Sequence, residues 1–205
     1  MRVQPPRRLL FVTGTTFRTL SHMTRIKYFL IGLAALVLSG CSTSIKSTAD
    51  HDALDARAKW ALLPIANNTD TPQAGLSAEA MVEHLLRHRG ISSLLQYPSA
   101  LSRDSLFEPT ERKVSEEARK WAQEQGARYG VTGNVEEWRY KVGIDGEPAV
   151  GVTLKVIDLS SGTVVWTASG AKSGWSREAL SGVAQKLLTD LLGTLALTGA
   201  GKTAN

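Results

Sequence analysis

The one cysteine of this 205-residue chain follows directly on Leu38-Ser39-Gly40, so Cys41 presents its thiol where a thioether-linked lipid could be added. Upstream, Met23-Thr24-Arg25-Ile26-Lys27 supplies a basic start, and residues 28–38 an apolar run. A basic start, an apolar run and small residues before a cysteine make the pattern of a bacterial lipoprotein signal peptide, whose cleavage leaves Cys41 acylated as the first mature residue. The apolar run is far short of the roughly 20 residues that a membrane-spanning helix needs. Reading Cys41 as an ordinary small core residue leaves the flanking pattern unexplained. Ser42 rather than Asp follows the cysteine, which by the usual bacterial sorting rule points to the outer membrane.

Other residues with chemical potential form no catalytic set. His84 and His88 stand four apart on a helical stretch, so both could face one metal ion, but no Glu follows His84 and no third ligand lies nearby. They read as two surface histidines on an amphipathic helix. Gly199-Ala200-Gly201-Lys202-Thr203 imitates the end of a phosphate-binding loop, yet Ala196 stands where its first glycine belongs and no helix follows. Gly174-Trp175-Ser176-Arg177-Glu178 lacks the second glycine of a nucleophile elbow. Glu136 and Glu137, adjacent in a strand, are expected to point to opposite faces and so not to act as a pair. The chain reads as a binding or assembly protein, not an enzyme, and no cofactor is implied.

Two features remain. Val142-Gly143-Ile144-Asp145-Gly146-Glu147-Pro148 is a strand connection that carries two carboxylates, Asp145 and Glu147. Asp-Gly is ordinary hairpin chemistry, but two carboxylates on a turn also make an acidic spot for a cationic ligand, multiplied if copies assemble. Trp175 sits between Gly174 and Ser176 beside Arg177, where a strand hands over to a helix. An indole on such a loop either packs over the helix start or suits a membrane interface.

Whole-chain charge misleads. The formal net charge is +5, but six of the 24 Lys and Arg residues and none of the 19 Asp and Glu lie within residues 1–40. From Cys41 onward there are 18 basic and 19 acidic side chains, so the positive charge belongs to the leader and does not argue for nucleic-acid binding. Residues 1–22, with Pro5-Pro6, fit no signal-peptide region, and Met23 is the expected start. Residues 23–40 are then the signal peptide, and the 165 residues that follow suffice for one domain with its own core. With Cys41 acylated no thiol remains, so stability must come from packing alone.

These residues must be carried by a small set of elements. Residues 41–58, rich in Ser, Thr, Asp and Ala, read as a flexible tether. One α/β domain over residues 59–192 follows. A strand is expected from Trp60 to Ile65, with Pro64 limiting its pairing, then a helix over 76–89 and a strand over 91–96. A helix over 111–125 precedes three strands over 129–140, 150–158 and 163–171, and a last helix over 177–192 is expected to be capped by Ser176. Residues 193–205 read as a frayed tail. The order βαβαβββα implies a mixed sheet of about five strands with helices packed against it.

Several blocks resemble the PelC family of Pel exopolysaccharide export lipoproteins. They are Trp60-Ala61-Leu62-Leu63-Pro64, Thr71-Pro72-Gln73-Ala74-Gly75, Val131-Thr132-Gly133-Asn134-Val135-Glu136-Glu137-Trp138, Gly143 to Val152, and Gly174-Trp175-Ser176-Arg177-Glu178, and the resemblance covers nearly all of residues 59–192. It implies a lipoprotein of the outer membrane, on its periplasmic face, that assembles into a dodecameric ring. The ring would funnel Pel, a cationic aminosugar polymer of biofilms, to an outer-membrane pore formed by PelB. It implies one acidic ring face, to which Asp145 and Glu147 would contribute, and an opposite face with Trp175 turned to the membrane. It brings no enzymatic activity and no nucleic acid. Two other readings stand beside it: a tethered lipoprotein that activates a periplasmic cell-wall synthase by protein contact, and a metal-dependent hydrolase built on His84 and His88.

Overall fold

The apolar run that starts at Trp60 lies at the centre of the molecule because none of its residues before Pro64 offers a polar side to water. The computed structural model describes residues 44–49, 53–98, 111–143 and 146–200. Trp60–Asn67 (β3) pairs in parallel with Leu94–Gln96 (β4) on one side and Tyr129–Tyr140 (β5) on the other. Pro148–Asp158 (β6) and Val164–Ser173 (β7) then follow as an antiparallel meander, and Ser44–Ala49 (β1) closes the six-stranded sheet in the order β1-β7-β6-β5-β3-β4.

Alternation along β3 sends Trp60 and Leu62 to one face and Ala61 and Leu63 to the other, and an irregularity between Leu62 and Ile65 returns Ile65 to the Trp60 face. The first face carries the larger core, against Ala74–His88 (α1) and Leu180–Gly193 (α3) through Ala78, Val82, Leu86, Leu187 and Leu191. The second carries a smaller core against Glu111–Glu124 (α2), through Ala118 and Ala122, with Tyr97 edge-on to Trp121 at 5.4 Å. The expected α/β class and mixed sheet therefore hold, and the order βαβαβββα holds from β3 to α3, with β1 making six strands in place of about five.

Pro64 is accommodated by an irregularity. Pairing of β3 with β5 passes from Leu62–Val131 to Ile65–Gly133, so two β3 residues oppose one. The Ile65 amide, beyond the end of β4, donates instead to Glu79 Oε1 on α1 at 2.9 Å. α1 approaches β3 so closely here that a Cβ on Gly75 would lie 2.3 Å from the Ile65 carbonyl oxygen. Burial pushes the Glu79 carboxyl above its usual range, and the bond from Ile65 opposes that shift.

Three expectations are corrected. The reading of residues 42–58 as a flexible tether fails from Ser44 onward: β1 pairs along β7 from Ser44–Ala171 to Ala49–Trp166. Ser44, Lys46, Ser47 and Thr48 are polar and Ile45 is the one larger apolar side chain, so the strand joins through backbone hydrogen bonds and leaves no apolar period to detect. Leu54–Asp55 (β2) pairs in parallel with Leu197–Thr198 (β8), and Leu195 is buried, so residues 193–198 are packed chain and not a frayed tail. Finally, α3 starts at Leu180 and Ser176 does not cap it. Ala179 stands at the cap position without a side-chain bond, and the Leu180 amide donates to Tyr140 Oη at 3.0 Å.

Two predictions follow from these polar contacts. The folded state holds a proton on Glu79 more tightly than the unfolded chain, so this group's contribution is fully present below the ordinary carboxylate pKa. It is lost as pH rises through the raised value. Glu79→Gln keeps the acceptor for Ile65 and should gain stability relative to the parent as pH rises from about 4 to about 8, while Glu79→Ala should cost about 1–3 kcal/mol by orphaning a buried amide. Parallel melting curves for parent and Gln variant at every pH would sink the titration. Tyr140→Phe removes the cap and should cost about 0.5–2 kcal/mol in denaturant titration.

Candidate functional site

The sheet brings several of the singled-out residues to one end. Because β1 is antiparallel to β7, the start of β1 lies beside the end of β7, with Ser44 opposite Ala171. Ser173 lies opposite Ala149, and Tyr140 opposite Pro148, so the β5–β6 connection emerges at that same end. The Lys141 amide donates to the Glu147 carbonyl at 2.7 Å, and the Gly174 amide to the Pro148 carbonyl at 2.9 Å. Lys141 Nζ then bridges the two segments, donating to Ser173 Oγ at 2.8 Å and lying 3.9 Å from Glu147 Oε2.

Glu147 is half-buried beside that lysine, so part of its field is offset, although an ion pair this exposed adds little to stability. Asp145 and Cys41 lie outside the described residues. Trp175 is 66% exposed. It does not pack over the helix start, because the turn behind it is built to hold it out. Glu178 Oε2 accepts from the Trp175 amide at 3.1 Å, and the Glu178 amide donates back to the Trp175 carbonyl at 3.0 Å. Arg177 takes the left-handed conformation inside this turn, with φ 71°. Gly174 leaves the space it needs: a Cβ there would lie 2.5 Å from Val183 Cγ2 and 2.6 Å from Glu178 Oε2. The bond from Lys186 first, and that from Trp175 next, hold the Glu178 carboxyl below its usual range. The Gly-Trp-Ser-Arg-Glu block is therefore a device for presenting an indole.

Within the protomer, Glu147 and Trp175 arise from adjacent segments at one end of the sheet. Two further large apolar side chains share that end: Val142, two residues beyond β5, is fully exposed, and Tyr140 is 50% exposed.

Glu136 and Glu137 behave differently from the expectation too. Pairing of β5 with β6 passes from Val135–Val152 to Glu137–Gly151, so Glu136 is an extra residue in a bulge. The bulge turns both carboxylates to the face not covered by α1 and α3, where they line a groove of about 580 Å³ with Asp70, Thr71 and Arg139 above Gly151. Glu137 pairs with Arg139 at 3.2 Å. Glu136 accepts from Thr153 Oγ1 at 2.8 Å and from Asn134 Nδ2. Sequence reading missed this groove, because a bulge cancels the two-residue period on which the opposite-face rule rests.

His84 and His88 are exposed on α1 with their rings 6.4 Å apart. Among the described residues no group of three or more His, Cys, Asp or Glu gathers to hold a metal, and no helix is long and apolar enough to cross a membrane.

No protein-family model and no curated protein matches the chain. Solved structures do. A PelC dodecamer from Paraburkholderia phytofirmans is 41% identical, with 77% of this chain and 99% of that one covered and a TM-score of 0.65. A methionine-for-leucine variant of that PelC dodecamer, from the same organism, is 42% identical, with 77% and 100% covered and a TM-score of 0.66. Identity at that level over nearly the full length of those chains places this protein in the PelC family.

Proposed function

We propose that the chain is a non-enzymatic lipoprotein of the outer membrane, held on its periplasmic face by acylated Cys41, that assembles into a dodecameric ring. The ring guides Pel, a cationic exopolysaccharide, to the export pore formed by PelB. The observation that carries this reading is identity of 41–42% over 99–100% of PelC chains that are dodecamers.

The chemistry fits weak guidance better than tight binding. From Cys41 onward the charge nearly balances, at 18 basic and 19 acidic residues, so any attraction for a polycation must be local. Asp145 and Glu147 supply such a place on the β5–β6 connection, and a ring repeats it in every protomer. Repeated carboxylates raise the local concentration of a polycation without fixing any one sugar, and their reach falls off over about 8 Å at physiological salt. Lys141, 3.9 Å from Glu147, moderates that field. On the ring face turned to the membrane, Trp175 sits at headgroup level.

Light scattering on the detergent-solubilised full chain should give the mass of twelve copies, and a monomer would overturn the ring. Asp145→Asn combined with Glu147→Gln should lower secreted polymer while the thermal transition is kept. Lys141→Gln, which removes the opposing cation, should retain secretion. Unchanged secretion in the doubly neutralised variant would count against these two carboxylates.

A further inference from the structure

We infer that His84 and His88 form a surface chelate for a copper(II) ion at the C-terminal end of α1, with both imidazoles coming from one copy of the chain. The inference stands apart from polymer guidance. A spacing of four puts the two side chains one helical turn apart on one face, and both are exposed. Their rings lie 6.4 Å apart and only 15° from parallel, so their edges can turn to a common point. With metal–nitrogen bonds of about 2.0 Å, two imidazoles on one ion stand about 4–6 Å apart, which small rotations of exposed side chains reach.

The surroundings favour a cation. His88 is the last residue of α1, where carbonyls lack helical partners and the negative end of the macrodipole lies. The arginines on either side of it are engaged elsewhere. Arg87 pairs with Glu83 at 2.9 Å and donates to the Leu94 carbonyl at 3.1 Å, and Arg89 donates to the Leu195 carbonyl at 2.6 Å. His84 also borders an open groove of about 380 Å³ with Met81 and Gln185, which leaves room for water on the ion.

The donor set selects the metal. No third His, Cys, Asp or Glu gathers with the pair among the described residues, so the closed four-ligand set of a structural zinc site is not formed. Copper(II) makes the strongest complexes of the first-row divalent ions at nitrogen sites and takes a tetragonal field, whose remaining positions water can fill.

The test adds copper(II) alone to the detergent-solubilised full chain at neutral pH and follows it by calorimetry and electron paramagnetic resonance. A single ion per chain should bind, with superhyperfine coupling to two nitrogens. His84→Gln and His88→Gln should each weaken binding by about a hundredfold, because the second imidazole binds as an intramolecular ligand. His51→Gln, which removes the other histidine after Cys41, should leave binding unchanged. Undiminished affinity in the His84 and His88 variants overturns the site. Loss in the His51 variant overturns it too and assigns the ion elsewhere. Coupling to one nitrogen overturns the chelate, and coupling to four overturns the single-copy site by giving the ion to two copies.

Discussion

Burial of one strand on both faces is the constraint from which the architecture grows. Trp60, Ala61, Leu62 and Leu63 are all at most 2% exposed, so β3 cannot stand at an edge or face water on either side. A strand of that kind needs helices above and below it and a neighbour on each side. The chain meets the need with α1 and α3 on one face and α2 on the other, and with β4 and β5 as parallel neighbours that only crossover connections can supply. Pro64 ends the regular stretch at its far side. The amide that loses its ladder partner there is taken up by Glu79, a carboxylate that burial would otherwise exclude.

Where side chains alternate against a core, the elements were legible. β5 from Tyr129 to Tyr140 coincides with its expected range, and Val150, Val152, Leu154 and Val156 alternate into the larger core as their spacing requires. What escaped reading is held by backbone. β1 has only Ile45 to show, and β8 is two residues long. The cap on α3 comes from Tyr140, forty positions away, and no local pattern announces such a partner. The bulge at Glu136 belongs to the same class, since an extra residue is defined by the opposing strand and not by its own neighbours.

The candidate site divides along the same line. That Trp175 is presented, and does not pack, depends on the reciprocal bonds with Glu178 and on the room Gly174 leaves, all within five consecutive residues. The block was visible as a unit, and its purpose became visible once its hydrogen bonds were known. The neighbourhood of Trp175 and the β5–β6 connection is a different matter. It follows from strand register across three strands, which spacing along one chain does not encode.

β1 has one more property. Among its described side chains only Ile45 touches the core, and the rest of its hold on β7 is a row of backbone hydrogen bonds at a sheet edge. Peeling its six residues away would release about 20 Å of chain at roughly 3.3 Å per residue while uncovering little apolar surface. Released from β7, the strand would pay out slack without unfolding the core, so the edge of the sheet and the reach of the chain before it are set by the same few backbone bonds.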